Sequence, residues 1–250
     1  MPPTVLGVIP ARFASTRFPG KPLASLGGKP MIQHVWERAC RSSLLTSVVV
    51  ATDDHQIAAA ARSFSADVCM TRSDHVSGTD RVAEAAAHTS AEVIVNIQGD
   101  EPLIDPAAID AAILTLLEDP ACQMSTLKKR ITNQADVDNP NVVKVVTGHS
   151  GYALYFSRSP IPYPRGASPV YWKHIGLYVY RRALLLGYSA LQPGPLEDAE
   201  KLEQLRALEN GIAIRVAETE YETIGVDTPE DLAHVQSFFI RTNVIPKHHG

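Results

Sequence analysis

Residues 5–22 read VLGVIPARFASTRFPGKP, and this stretch decides how the chain is organised. The run from Val5 to Ile9 is short and continuously apolar, which is typical of a buried strand in a parallel sheet. Three prolines, Pro10, Pro19 and Pro22, exclude a helix or a central strand from the part that follows. That part is therefore predicted to be a loop leaving the carboxyl end of the strand.

The predicted loop carries three cations, Arg12, Arg17 and Lys21, separated by small residues. Small residues let backbone N–H groups approach an anion and fixed cations neutralise it, so this composition suits a polyphosphate. A surface loop with solvated charges is the alternative. The position favours a binding site, because open α/β sheets bind ligands outside the carboxyl ends of their strands. The loop matches neither the P-loop pattern nor the glycine-rich dinucleotide pattern.

Strands and helices alternate through the first half of the chain. Apolar residues at helical spacing predict a helix over Met31–Cys40, and three consecutive valines predict a strand over Ser47–Thr52. The next predicted elements are a helix, a strand, a helix, a strand and a helix over His55–Phe64, Ala66–Met70, Gly78–His88, Glu92–Ile97 and Pro106–Leu117. This alternation predicts an α/β fold with a mainly parallel sheet and right-handed crossovers.

In the second half, predicted strands follow one another without helices between them, which predicts an antiparallel excursion from the main sheet. Four strands without intervening helices are expected over Met124–Lys129, Asn141–Val146, Tyr152–Phe156 and Lys173–Tyr180. The chain is then expected to return to helices over Leu184–Leu191 and Ala199–Leu208, a strand over Ala213–Ala217 and a helix over Pro229–Ile240.

Length and composition indicate an ordinary soluble protein. A chain of 250 residues can bury the core of one large α/β domain, and the net charge of −4 gives no reason to expect a nucleic-acid partner. The three cysteines, Cys40, Cys69 and Cys122, lack metal-ligand spacing and are expected to be buried thiols. No signal peptide or membrane-length apolar run is recognised, so we expect a cytoplasmic protein with no membrane partner.

Two aspartates stand where chemistry is expected. Asp100 follows the strand predicted over Glu92–Ile97, and Gly99 before it permits a tight turn, so a carboxylate facing a polyphosphate there suggests bound Mg²⁺. Helix capping is the alternative, although Asp105 is better placed for it. Asp227 precedes Thr228 and a proline, and spacing alone favours a helix cap at this position.

Nine short motifs, each present once, follow one another along the chain. They are residues 9–22 (IPARFASTRFPGKP), 51–53 (ATD), 70–72 (MTR), 77–81 (SGTDR), 96–102 (NIQGDEP), 153–158 (ALYFSR), 174–176 (HIG), 202–206 (LEQLR) and 225–231 (GVDTPED). Together they resemble the 3-deoxy-manno-octulosonate (Kdo) cytidylyltransferases, also called CMP-Kdo synthetases. The resemblance implies a three-layer, Rossmann-like fold of the nucleotide-diphospho-sugar transferase type. It also implies one domain over residues 1–250, with a nucleotide-binding half (1–120) and a sugar-binding and dimerisation half (121–250).

The resemblance also assigns residues to roles. It implies that Asp100 and Asp227 hold Mg²⁺, that Lys21 contacts the phosphates, and that Arg12 and Arg17 hold the triphosphate. The nucleotide site it implies comprises Pro10, Ala11, Arg12, Ser15, Lys21, Arg72, Ser77, Gly78, Thr79 and Gln98. The sugar site it implies comprises Arg158, His174, Glu203 and Gln204. A capped loop, a surface histidine and a solvated helix face remain the alternatives for many of these residues.

The reaction implied is CTP plus Kdo giving CMP-Kdo and pyrophosphate, in a homodimer that serves lipopolysaccharide synthesis. A related acid-sugar enzyme is the near alternative, since CMP-sialic acid synthetases have a similar opening loop. Sugar-1-phosphate nucleotidyltransferases begin with a glycine-rich loop that this chain lacks. A catalytically silent nucleotide-binding protein on the same fold is a further alternative. A glycosyltransferase is disfavoured, because Asp53 and Asp54 lack Asp-x-Asp spacing and are interpreted as helix caps.

Overall fold

The computed structural model describes residues 2–14, 18–167 and 169–243. The first half alternates strands and helices as the pattern predicts. Its elements are β1 (Val5–Ala11), β2 (Ser25–Leu26), β3 (Lys29–Pro30), α1 (Met31–Ala39), β4 (Ser47–Thr52), α2 (His55–Ser63), β5 (Asp67–Met70), α3 (Gly78–Ala87), β6 (Val93–Asn96) and α4 (Pro106–Leu117).

The second half mixes strands with short helices. Its elements are β7 (Met124–Arg130), α5 (Gln134–Asp138), β8 (Lys144–Thr147), β9 (Ala153–Ser157), β10 (Trp172–Arg181), α6 (Arg182–Gly187), α7 (Pro195–Glu200), α8 (Gln204–Glu209), β11 (Ile214–Glu218) and α9 (Pro229–Asn243). Helix α5 stands between β7 and β8, where only strands were expected.

One sheet runs through the molecule in the order β11-β7-β10-β6-β1-β4-β5. Strand β1 pairs in parallel with β4 and β6, and β4 pairs in parallel with β5. Strand β10 is antiparallel to both β6 and β7, and β8 and β9 extend from it as a further antiparallel pair. The predicted combination of a mostly parallel sheet with an antiparallel portion is confirmed.

Apolar side chains cover both faces of the sheet, which produces three layers. On one face, helices α1, α2 and α4 bury residues such as Val35, Ile57 and Ile113. On the other face, α3 and α8 bury residues such as Val82 and Leu205. Because consecutive strand residues point to opposite faces, both sides of the sheet require such cover.

The single helix predicted over Ala199–Leu208 is wrong. The structure has α7 and α8 instead, because Lys201 adopts left-handed backbone angles (φ 51°) that end the first of them. Helix α7 begins early, at Pro195, since a proline fits the first turn of a helix.

The cysteines differ in their surroundings. Cys122 is buried, Cys69 is partly buried and Cys40 is exposed, so the expectation of three buried thiols holds for Cys122 alone. Within residues 2–14, 18–167 and 169–243, no helix combines the length and apolar character needed to span a membrane.

Candidate active site

A polar cavity of about 400 Å³ lies at the carboxyl ends of β1 and β6. These strands are neighbours in parallel, so the loops that follow them meet at one edge of the sheet. The cavity is lined by Pro10, Ala11, Arg12, Lys21, Pro22, His75, Val76, Ser77, Gly78, Arg81, Gln98, Gly99, Asp100 and Asp227. Seven of the predicted nucleotide-site residues are among these, namely Pro10, Ala11, Arg12, Lys21, Ser77, Gly78 and Gln98.

Gly99 lets the loop after β6 pass directly against the end of β1. A Cβ atom at residue 99 would lie 2.7 Å from the carbonyl oxygen of Pro10, which is closer than real side chains approach. The absence of a side chain therefore brings the backbone of Asp100 to the rim of the cavity. The backbone N–H of Val226 donates to the Asp100 carbonyl at 2.9 Å and so joins this loop to the segment before α9.

Lys21 lies between two carboxylates that are far away in sequence. Its Nζ atom is 2.9 Å from Asp100 Oδ2 and 3.1 Å from Asp227 Oδ1. The lysine side chain is 14% exposed, while those of Asp100 and Asp227 are 34% and 49% exposed. Solvent therefore reaches the two acids more easily than the ammonium group that joins them.

Spacing alone favoured Asp227 as a helix cap, but its neighbour Thr228 makes the cap instead. Thr228 and Asp231 form the helix cap: the Asp231 N–H donates to Thr228 Oγ1 at 3.2 Å, and Asp231 Oδ2 accepts from the Thr228 N–H at 2.9 Å. This cap leaves the Asp227 carboxylate on the side of Lys21 and Asp100.

The two carboxylates form a donor set that suits Mg²⁺. Both are hard oxygen ligands that converge on the Lys21 ammonium group, and Mg²⁺ in proteins commonly takes one or two carboxylates with phosphate and water completing its shell. In the described part of the chain, no group of three or more His, Cys, Asp or Glu side chains could hold a metal. The assignment of Asp100 and Asp227 to a metal therefore stays a prediction that the geometry favours.

The start of α3 forms the opposite wall of the cavity. Ser77 and Asp80 make a reciprocal cap there: Ser77 Oγ accepts from the Asp80 N–H at 3.1 Å, and Asp80 Oδ2 accepts from the Ser77 N–H at 3.2 Å. The neighbouring His75 hydrogen-bonds to Glu84 through Nε2. The residues immediately before α3 are thus held against that helix.

Arg81 lines the cavity but was not assigned a role from the sequence. It is 4% exposed, bonds to the Thr71 hydroxyl and lies 3.3 Å from Asp53 Oδ1. The signal was present in the motif of residues 77–81, because Ser77 and Arg81 are four residues apart and thus share one helix face. Burial of this guanidinium ties β4 and the end of β5 to α3.

Two predicted nucleotide residues lie outside the cavity lining. The Arg72 guanidinium donates to Asp74 at 2.9 and 2.8 Å on the surface. Thr79 is buried in the first turn of α3. The two remaining members of the predicted phosphate loop, Ser15 and Arg17, lie outside the described residues.

On the predicted sugar side, Arg158 bonds mainly to backbone oxygens. It donates to the carbonyls of Glu200 at 2.7 Å, Pro140 at 3.0 Å and Lys201 at 3.4 Å. Its own carbonyl accepts from the fully buried Lys144 at 2.6 Å. In this structure, Arg158 joins the β8–β9 extension to the end of α7.

A bulge in β10 follows shortly after His174, which itself pairs in register with Lys128 of β7. Register with β7 shifts between Ile175 and Val179, so that three residues of β10 lie opposite Thr126. The Gly176 carbonyl in this bulge accepts from Gln98 Nε2 at 3.2 Å, which connects His174 and its neighbours to the cavity.

Glu203 and Gln204 lie at the start of α8. Burial raises the pKa of the Glu203 carboxyl, although its hydrogen bond with Thr79 acts in the opposite direction. Gln204 is buried, with 5% of its surface exposed. Neither residue occupies the solvated helix face considered as the alternative.

Glu101, the residue after Asp100, is a buried acid. Tyr221 donates its hydroxyl to Glu101 Oε2 at 3.0 Å. Burial and the nearby Asp100 charge raise the pKa of Glu101 to about 7. This contact gives a second link between the loop after β6 and the segment that leads to α9.

Comparison with known proteins identifies the family. The cytidylyltransferase family model matches residues 6–219. A 3-deoxy-manno-octulosonate cytidylyltransferase of Solibacter usitatus is 63% identical over 96% of this chain and 96% of its own, and one of Geobacter sulfurreducens is 58% identical over 92% and 97%. The structure of a CMP:2-keto-3-deoxy-manno-octonic acid synthetase complexed with CTP superposes with a TM-score of 0.92 at 46% identity, covering 96% of this chain and 99% of the other. The chain therefore belongs to the 3-deoxy-manno-octulosonate cytidylyltransferase family, as its motifs predicted.

Proposed function

We propose that this enzyme transfers the cytidylyl group of CTP to Kdo and releases pyrophosphate. The observation that carries the proposal is the convergence of Lys21, Asp100 and Asp227 at one edge of the cavity. Family membership supports the choice of CTP and Kdo, because the similar proteins carry these names.

The reaction is an in-line displacement at the α-phosphorus of CTP. The anomeric hydroxyl oxygen of Kdo forms the new bond to phosphorus, and the bond to the β-phosphate oxygen breaks. Lys21 places a positive charge where the leaving pyrophosphate gains negative charge, and Arg12 adds a second cation on the cavity wall. Catalysis of this kind depends on positioning and electrostatics and needs no covalent enzyme intermediate.

Asp100 and Asp227 would hold Mg²⁺, which when bound supplies charge neutralisation at the phosphates. Ser77, Gly78 and Gln98 line the cavity beyond these groups and would hold the nucleoside. Arg158, His174, Glu203 and Gln204 are assigned to the acid sugar by the family motifs. The hydrogen bond from Gln98 to Gly176 supports this assignment for His174, since Gly176 is two residues further along the same strand and adjoins the nucleotide cavity.

The proposal extends to the assembly and the setting of the enzyme. A homodimer formed through residues 121–250 accounts for large apolar side chains that face solvent there, such as Leu154, which is 67% exposed, and Tyr163, which is 83% exposed. Light scattering at micromolar concentration tests the dimer, and a monomer mass would contradict it. A role in lipopolysaccharide synthesis in the cytoplasm follows from the family resemblance.

Pyrophosphate release tests the proposed reaction. CTP, UTP and ATP are crossed with Kdo, sialic acid and glucose-1-phosphate in the presence of Mg²⁺, and turnover is expected for CTP with Kdo. Turnover with sialic acid but not Kdo would transfer the assignment to the related acid-sugar enzymes. Turnover with no pair would favour a silent nucleotide-binding protein.

The metal assignment is tested with the same assay. Asp100→Asn and Asp227→Asn should each raise the Mg²⁺ concentration needed for half-maximal rate, and Mn²⁺ binding followed by electron paramagnetic resonance should weaken in parallel. The matched control is Glu37→Gln, which removes an acid whose lysine partner, Lys29, lies outside the cavity lining. Unchanged Mn²⁺ binding in both aspartate variants would contradict the assignment.

A further inference from the structure

Thr126 is a buried hydroxyl in the middle of β7 that meets three groups of β10 at once. Its Oγ1 atom lies 2.9 Å from the Ile175 carbonyl oxygen and 2.9 Å from the Leu177 carbonyl oxygen. It also lies 3.0 Å from Nε2 of His174. The β10 bulge creates this arrangement, because residues 176–178 occupy the register position opposite Thr126 alone.

A count of hydrogens decides the direction of these bonds. A hydroxyl has one hydrogen to donate, and carbonyl oxygens can only accept. If Thr126 donated to His174, its oxygen would face the oxygens of Ile175 and Leu177 at 2.9 Å with no hydrogen between them. Leaving buried acceptors in that state is costly. The hydroxyl therefore directs its one hydrogen at the two carbonyls, which share it, and the contact with His174 is satisfied when Nε2–H donates to Thr126.

The surroundings of His174 keep its ring neutral. The ring packs edge-on against Phe156, with centroids 5.0 Å apart, and lies 5.3 Å from the ring of Tyr178. Burial lowers the pKa of His174 to about 3. A neutral imidazole carries one ring hydrogen, so a hydrogen on Nε2 leaves Nδ1 as an acceptor. No described residue forms a hydrogen bond with Nδ1.

We propose that Thr126 is a positioning residue that fixes His174 in the neutral Nε2–H form, so that Nδ1 accepts a hydrogen bond from a hydroxyl of the acid sugar. The identity of that ligand rests on the proposed function. An acceptor nitrogen repels a carboxylate, so His174 recognises the polyol part of the substrate and the carboxylate must be held by a cation. A cationic side chain at this position would instead favour the carboxylate of the sugar over its hydroxyl groups.

The tautomer is measured directly from the ring ¹⁵N signals of His174, assigned by comparison with His174→Gln. We expect the wild-type ring to carry its hydrogen on Nε2. Thr126→Val keeps the shape of the side chain but removes the hydroxyl, and it should give a mixture of the two neutral forms. Thr126→Ser should restore the Nε2–H form. A wild-type ring protonated on Nδ1, or an unchanged ring in Thr126→Val, overturns the proposal.

Kinetics supply the second readout. Loss of one well-oriented hydrogen bond corresponds to an increase of about fivefold to tenfold in the KM for Kdo in Thr126→Val, with the KM for CTP unchanged. Thr126→Ser should recover most of the loss. An equal change in both constants, or a loss that serine does not recover, would indicate a general disturbance of β7 and overturn the proposal.

Ser125→Ala is the matched control for such a disturbance. Ser125 is the neighbouring buried hydroxyl on β7 and donates to the Ala112 carbonyl at 2.7 Å, so its loss weakens β7 without touching His174. The ring signals of His174 should be unchanged in this variant. Failure of Kdo as a substrate would refute the proposed function and the assigned ligand together, whereas the ring signals of the free enzyme would still decide the role of Thr126.

Discussion

The two sides of the site hold their polar groups in opposite ways. At the predicted phosphate site, Lys21 pairs with both Asp100 and Asp227, and the two acids are partly open to solvent. On the bulge side, Thr126 and His174 stand within strands and bond to backbone and to each other under apolar cover. This difference fits the roles proposed for the two sets: the acids proposed to hold a metal are accessible, whereas the neutral pair proposed to orient a ring hydrogen is packed between strands.

The comparison explains why one side was easier to predict than the other. Loops after neighbouring parallel strands necessarily converge, so position alone indicates a binding site for Lys21 and Asp100. The role of a residue inside a strand depends on the register of that strand, because a shift of one residue moves each side chain to the other face of the sheet.

The largest expected effect tests the accessible charges. Lys21→Met should lower kcat/KM by roughly 10²–10³-fold, because it removes the cation that meets the developing negative charge. Steady-state pyrophosphate release measures the loss. Lys29→Met is the control, since Lys29 pairs with Glu37 outside the cavity lining and its loss should leave the rate unchanged. A loss below tenfold would mean that Lys21 serves mainly to neutralise the two aspartates.

The next effect tests whether Arg158 stabilises the fold rather than binding the ligand. Arg158→Met should reduce the free energy of unfolding by roughly 2–3 kcal/mol, because the carbonyls of Glu200, Pro140 and Lys201 lose a charged donor. Urea denaturation measures it, with Arg165→Met as an exposed control. If stability were unchanged and only the KM for Kdo increased, Arg158 would belong with the ligand-binding charges.

A pH series sharpens the comparison for the neutral groups. The pKa of His174 is lowered in the folded protein to about 3 from an ordinary value of 6.5. Below pH 6.5 the ring of His174 therefore binds a proton in the unfolded chain but not in the folded protein. The free energy of unfolding consequently falls as the pH decreases towards 3. His174→Gln removes this loss, so the free energy of unfolding of wild type relative to the variant should fall by about 2 kcal/mol between pH 8 and pH 5.

The same urea series at each pH provides the measurement. His34, whose pKa is also lowered by burial, is present in both proteins, so its contribution cancels in the difference. A difference that stays constant from pH 8 to pH 5 would show that the ring of His174 accepts a proton in the folded protein.

The smallest effect is expected on the surface. The Arg72–Asp74 pair is 69% and 66% exposed, and exposed ion pairs contribute little. Asp74→Asn should leave the free energy of unfolding unchanged within the error of urea denaturation. The KM for CTP in the same variant tests the family-based assignment of Arg72, which would predict a change when its partner is removed.

Particular residues show how far the sequence leads. The caps at Asp54 and Asp105 follow from local chemistry, and the structure has the expected hydrogen bonds. At Asp227 the expected cap is made by Thr228 instead, and the metal role of Asp227 stays a prediction. The break at Lys201 was missed, since a lysine in left-handed backbone has no compositional signature. Thr126 was missed for a different reason: its partners come from a bulge 49 to 51 residues away, which no local pattern encodes.

The 206-residue separation between Lys21 and Asp227 has a consequence for biosynthesis. A growing polypeptide can complete β1 and its loop early, yet it cannot assemble the two-acid arrangement before residue 227 emerges from the ribosome. Unfinished chains thus lack half of the predicted metal ligands, and the predicted metal site forms only after the segment that leads into α9 has been made.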